Sequence, residues 1–146
     1  SLPRSNVVKL NHDELAELAV LFGLAGDSIP ERADSLIAKA GLEYCLVTMG
    51  GRGAFAASRS GERAYSPAFR VRRADTTGSG DAFTAGFVHG LLRGEDLRAA
   101  CRLGNAMGSL VAAQSGATQP FAAGALDQLL AAGDYEEIDP DLEAWL

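Results

Sequence analysis

Residues 75–92 read DTTGSGDAFTAGFVHGLL, and the way this stretch changes character decides the fold. Its first seven residues are small or polar, and from Ala82 onward the sequence turns apolar and stays so to Leu92. Gly78 and Gly80 allow backbone conformations and close approaches that a side chain would forbid. A helix starting directly after them, near Asp81, leaves its first amides without intrahelical acceptors. Those donors and the positive end of the helix dipole make a ready anion site. Residues 82–92 are apolar on nearly every side, which predicts a helix buried between layers.

Asp81 extends the reading from binding to chemistry. A carboxylate at a phosphate-binding helix start repels a resting phosphate. It makes sense where an alcohol is held between the carboxylate and an incoming phosphoryl group. Asp81 would then accept the hydroxyl proton, while the amides of Gly78, Ser79 and Gly80 stabilise charge on the transferred group. Phosphoryl transfer is chiefly positioning and charge stabilisation, so a weakly basic aspartate suffices. Aspartate is also a favoured helix cap, and that structural role stands beside the catalytic one.

Upstream, Asn6–Leu10 (NVVKL) is short and β-branched, as a buried strand is. Asn11 with Glu14 three residues on predicts a capping box, followed by an amphipathic helix that ends at Gly23. Pro30 opens a second helix that runs to Gly41. Residues 43–49 (EYCLVTM) predict a core strand closed by GGRG, and 53–58 and 62–69 two further strands joined at Ser60-Gly61. Helices are expected at 95–114 and 124–132, followed by an acidic tail whose Trp145 docks apolar side down. Strands alternating with helices indicate one layered α/β domain over residues 1–146, with a mainly parallel sheet.

The bulk properties limit the partners. A chain of 146 residues, 47% hydrophobic and 22% charged, is globular, and its length suits one domain. A net charge of −6 argues against a nucleic-acid surface, so an anionic ligand needs local donors rather than a general positive field. The longest basic run is Arg72-Arg73. No apolar run reaches membrane-spanning length and no signal-peptide pattern opens the chain. Cys45 and Cys101 lack partners at metal-ligand spacing and read as free buried thiols, as in a reducing cytoplasm. His12 reads as exposed, His89 as helix packing, and Lys9 as a strand residue facing phosphates or capping the sheet edge.

The stretch DTTGSGDAFTAGFVHGLL resembles the D-T-x-G-(A/S)-G-D signature of the ribokinase-like, or phosphofructokinase B, carbohydrate kinases. Two more of that family's marks follow the same order and spacing. KLNHDE is similar to its N-x-x-E element at Asn11 and Glu14, and VTMGGRGAF to its T-x-G-x-x-G at Thr48, Gly50 and Gly53. Residues 104–117 (GNAMGSLVAAQSGA) resemble the helix and turn lining the family's adenine pocket. The resemblance covers essentially the whole chain, but only the C-terminal catalytic half of the layered α/β/α ribokinase-like fold.

The resemblance implies ATP-dependent phosphorylation of a sugar hydroxyl, of the fructokinase or ribokinase type. It implies Asp81 as base and Gly78, Ser79 and Gly80 as anion hole. Thr48, Gly50, Gly53 and Asn105 fall on the nucleotide side, and Asn11 and Glu14 organise Mg2+, in part through water. Asp75 and Thr77 match positions whose carbonyls hold a monovalent cation such as K+. In that family the sugar site comes mainly from an amino-terminal half. The expected partners are therefore a sugar, ATP and either that missing half or further copies of the chain. A non-catalytic nucleotide-binding or assembly module is the alternative reading. GRGAFA at 51–56 also fits a loose dinucleotide fingerprint, but the residues after it alternate like a strand. Neither G-x-x-x-x-G-K-(S/T) nor G-x-S-x-G occurs.

Overall fold

A computed structural model of the chain describes residues 6–114 and 122–146. The expected strand entry at residues 1–5 and the turn at 115–117 lie outside the described residues. In chain order the elements are β1 (Val7–Asn11), α1 (His12–Phe22), α2 (Ile29–Ala40), β2 (Tyr44–Thr48), β3 (Ala54–Ser58), β4 (Arg63–Ser66), α3 (Ser79–Leu92), α4 (Leu97–Ala112) and α5 (Ala125–Ala132).

The helix boundaries follow local chemistry. The Asn11 side chain accepts the Glu14 amide while Glu14 reaches back to the Asn11 amide, closing the expected capping box on α1. Ser28 and Glu31 close a second box on α2, with Pro30 in its first turn. Both helices end on left-handed glycines, Gly23 and Gly41.

The four strands lie in the order β1-β2-β3-β4. The β1–β2 pairing is parallel, and the β2–β3 and β3–β4 pairings are antiparallel. The expected mainly parallel sheet is therefore mixed among the described strands. The reason is connection length. Two helices separate β1 from β2, as a parallel crossover requires, whereas β2–β3 and β3–β4 are joined by short turns that only reverse the chain.

Alternation along the strands builds two cores. Cys45, Val47, Phe55, Ala57 and Tyr65 face a cluster with Leu15, Ala33, Leu36 and Ile37 from α1 and α2. Leu46, Ala54, Ala56 and Ala64 face Phe83, Phe87, Leu97, Ala100 and Cys101 from α3 and α4. The result is the expected α/β/α layering. Helices α3 and α4 cross closely because glycines line the contact: a Cβ on Gly86 would come within 2.9 Å of the Gly104 Cα. Only one face of α3 is buried, however. Phe83, Gly86, Phe87 and Gly90 are covered, while Ala85, His89 and Leu92 are exposed, so the all-round burial expected for 82–92 is corrected to half. Burial pushes the thiols of Cys45 and Cys101 up to about 12, which keeps them protonated. The tail docks as expected: Leu142 is buried, and Trp145 meets Phe55 edge-on at 6.0 Å. Among the described residues no helix is long and apolar enough to cross a membrane.

Candidate functional site

The register brings the sequence motifs to one edge of the sheet. Asn11 pairs with Thr48 at the carboxyl ends of β1 and β2. Thr48 faces Ala54 at the start of β3, which in turn faces Ser66 at the end of β4. Ligands of open α/β sheets bind outside the carboxyl ends of the parallel strands. At that edge lies a cavity of about 310 Å³. Thr48, Gly50 and Gly53 line one part of it, Ser79 and Gly80 another, and Asn105, Gly108 and Ser109 of α4 a third.

Helix α3 begins at Ser79 with Gly78 as its left-handed cap residue (φ 80°), two residues earlier than expected. Asp81 consequently occupies the third helical position and caps nothing. It is exposed, and among the described residues its carboxylate has no hydrogen-bond or ion-pair partner. Gly78 and Asp81 adjoin the cavity's Ser79 and Gly80 in sequence but do not line it. The Ser79 amide donates to the Thr76 carbonyl at 3.1 Å. The amides of Gly78, Gly80 and Asp81 have no acceptor among the described residues, so the open donors lie one residue closer to Asp81 than expected.

Lys9 settles beside this helix start. A Cβ built on Gly80 would come within 2.6 Å of the Lys9 Nζ. The lysine thus reaches α3 rather than capping the sheet edge.

On the opposite wall, Gly53 holds φ 95°, and a Cβ there would stand 2.1 Å from the Ser66 carbonyl oxygen. Only glycine lets the turn press this tightly against the end of β4. β3 follows directly, so residues 51–56 lack the helix that a dinucleotide fingerprint requires. Asn105 is buried, with its amide nitrogen donating to the carbonyls of Ser66 and Pro67 and to the Ser66 hydroxyl. These bonds fix the side chain while leaving its carbonyl oxygen without a donor among the described residues.

The Asp75 carboxylate accepts the Thr77 amide at 2.9 Å, and this bond, with a contribution from the Thr77 hydroxyl, holds its pKa below the ordinary carboxylate value. No donor among the described residues reaches the Asp75 or Thr77 carbonyl oxygen. Both remain available to a hard cation.

For Mg2+, the donor chemistry at Asn11 and Glu14 decides the fit. The capping box uses Asn11 Oδ1 and Glu14 Oε2, leaving Glu14 Oε1 open. Among the described residues no group of three or more His, Cys, Asp or Glu side chains could hold a metal. One exposed carboxylate oxygen fits a magnesium ion that keeps its water and takes its other ligands from phosphates, not a protein cage.

Other placements differ from the sequence reading. His12 is half-buried, its Nδ1 without a partner among the described residues, and its Nε2 lies 3.4 Å from the Asp13 carboxylate. His89 is exposed beside a groove between α3, α4 and α5. Two residues went unnoticed as site components. Arg73 lines the cavity, and Glu136 of the tail pairs with it at 2.8 Å. Arg73 stands out only as part of the longest basic run, and nothing in the sequence marks Glu136.

A model of the pfkB family carbohydrate kinases matches residues 1–124. The chain is 42% identical over 89 residues to a deoxyribokinase of Salmonella typhi, covering 59% of the chain and 28% of that relative. It is 31% identical over 112 residues to a ribokinase of Haemophilus influenzae, covering 77% and 36%. The chain thus spans about a third of the length of these curated relatives. Among solved structures, a ribokinase of Thermotoga maritima superposes with TM-score 0.72 at 23% identity, over 86% of this chain and 42% of that one, a likeness of fold alone. A nucleoside kinase of Burkholderia thailandensis superposes with TM-score 0.69 at 29% identity, over 86% and 39%. The ribokinase-like fold is therefore shared.

Proposed function

The chain belongs to the pfkB family of carbohydrate kinases, and from that premise we propose that it is the nucleotide-binding and catalytic part of an enzyme moving the terminal phosphoryl group of ATP to a sugar hydroxyl. One observation carries the reading: the start of α3, the Thr48–Gly53 turn and Asn105 open into a single cavity. The three motifs are distant in sequence, and a structural role for each alone would not require them to share a space.

The nucleotide lies with its polyphosphate toward Ser79 and Gly80 and its base toward Asn105. The open amides of Gly78, Gly80 and Asp81 stabilise charge on the transferred group, and the Lys9 ammonium adds a positive charge beside them. Asp81, exposed and unpaired, accepts the sugar hydroxyl proton. As that O–H bond breaks, the alcohol oxygen bonds to phosphorus and the bond to the departing ADP oxygen breaks. Glu14 would hold a hydrated Mg2+ through its open carboxylate oxygen, with Asn11 positioning that carboxylate through the capping box, and the ion would neutralise phosphate charge. The Asp75 and Thr77 carbonyls suit K+. The acceptor is a pentose or hexose, a class drawn from relatives named for ribose, deoxyribose and 5-dehydro-2-deoxygluconate. Residues 1–146 act as one domain, which fits a cytoplasmic enzyme whose sugar contacts come from outside this chain.

A second reading, a nucleotide-binding or assembly module without turnover, is favoured by the position of Asp81 off the cavity lining. Kinetics separate the two. In a form of the protein that phosphorylates sugar, Asp81→Asn is expected to lower kcat about 10²–10⁴-fold with nucleotide affinity unchanged. Near-wild-type turnover would remove the base. Calorimetry of the 146-residue chain with Mg·ATP is expected to show binding that Gly80→Leu abolishes. Undiminished binding by that variant would move the nucleotide elsewhere.

A further inference from the structure

Three segments far apart in sequence meet at one wall of the cavity. The Gly50–Arg52 turn supplies Gly51, whose hypothetical Cβ would lie 3.1 Å from Glu136 Oε1 and 3.6 Å from Arg73 Nη2. Arg73 comes from the segment leading into the DTTGSGD loop and lines the cavity. Glu136 comes from the tail and accepts from Arg73 Nη2 at 2.8 Å.

Both partners are held by backbone as well as by each other. The amides of Ala74 and Asp75 donate to the Ala112 carbonyl at the end of α4. The Glu136 amide donates to the Ala68 carbonyl, and the Arg70 amide to the Asp134 carbonyl. Residues 134–136 therefore run as an extra ribbon beside 68–70, with Phe69 and Tyr135 bridged. Glu136 is delivered to Arg73 by this ribbon rather than meeting it by chance on a mobile end.

The pair matters because of charge. The chain carries −6, and a nucleoside triphosphate adds several more negative charges. Arg73 is the one Lys or Arg among the described residues lining the cavity. A guanidinium presents five donors in a fixed fork, and Glu136 is bonded through only one of its nitrogens.

We propose that Arg73 is a polyphosphate-binding residue of this cavity and that Glu136 is its positioning residue, an inference resting on the nucleotide reading above. Arg73 takes phosphate oxygens with the nitrogens that Glu136 leaves free. Glu136 sets the plane of the fork, and so the tail is coupled to nucleotide affinity.

The test is calorimetry of the 146-residue chain with Mg·ATP and separately with adenosine. Arg73→Ala is expected to weaken Mg·ATP binding about tenfold or more, the scale of a lost charge-assisted hydrogen bond, and to leave adenosine binding unchanged. Arg73→Lys should recover part of the loss. Glu136→Gln should weaken Mg·ATP several-fold and spare adenosine. An equal loss of both ligands, or no loss, in Arg73→Ala would overturn the phosphate role. Tighter Mg·ATP binding by Glu136→Gln would overturn the positioning role, because the carboxylate would then only compete for the cation. Failure of the unaltered chain to bind either ligand would instead sink the nucleotide reading beneath both. Matching thermal melts establish that the variants fold.

Discussion

Gly50 and Gly53 stand three residues apart in one turn, and both hold positive φ, 57° and 95°. Their surroundings are opposite. Nothing lies within 4 Å of a Cβ on Gly50, whereas one on Gly53 would strike the Ser66 carbonyl and the Pro67 backbone. Gly50→Ala is therefore expected to cost about 1 kcal/mol, the left-handed penalty alone. Gly53→Ala is expected to cost about 3 kcal/mol or more, since strain and collision add. Urea unfolding of the two variants measures both, and equal losses would refute the close approach. The T-x-G-x-x-G pattern marks both glycines without ranking them, because the neighbour that separates them arrives from β4. Arg73 was missed for the same reason. Its meaning depends on Glu136, 63 positions away. Asn11, Thr48, Ser79 and Gly80 stand in short motifs whose spacing can be read locally, whereas Asn105 is singled out only by the resemblance of residues 104–117.

At the scale of elements, local chemistry was the surest guide. The Asn11–Glu14 capping box, the closing glycines and the turn at Ser60-Gly61 lie where the residues put them, since each is decided within four or five positions. The Ser28–Glu31 box emerges only in the structure. The pairing sense of β2–β3 was less legible from alternation alone; the short connection decides it. Helix α2 offers a test of the local logic. Ser28→Ala is expected to destabilise the chain by about 1 kcal/mol. Its partner Glu31 accepts the amides of Asp27 and Ser28, and these bonds hold its pKa below the ordinary 4.5. A carboxylate with a depressed folded-state pKa stabilises fully above its unfolded value and loses that contribution as pH falls through the folded one. The stability gap between wild type and Glu31→Ala should thus be constant above about pH 5.5 and narrow steadily below pH 4.5. Chemical denaturation across that range reads the gap, and a gap that widens in acid would reverse the assignment.

At the scale of the whole molecule, the two sides of the sheet end differently. On the β4 side, residues 134–136 pair with 68–70 just after the strand, and Trp145 packs on Phe55 and beneath the Arg63 guanidinium. The outer edge of β1 has no strand partner among the described residues, and Val7, Val8 and Leu10 are only half-buried. The end of the neighbouring α1 exposes Val20, Leu21 and Phe22 at 84%, 75% and 60%. An unpaired, apolar edge is a template for another strand, and charged or covered edges are how proteins avoid it. Lys9 does not guard this edge, because its ammonium is drawn to Gly80. The chain spans about a third of the length of its curated relatives. With nothing else supplied, the 146-residue chain is expected to associate with itself, its mass by light scattering rising with concentration. Leu21→Glu combined with Phe22→Glu should lower that mass toward one chain without changing the melting temperature, because both side chains already face water. A doubly substituted chain that associates as strongly as the original would place the contact elsewhere, and Val8→Lys, aimed at the strand itself, would then distinguish edge pairing from helix burial.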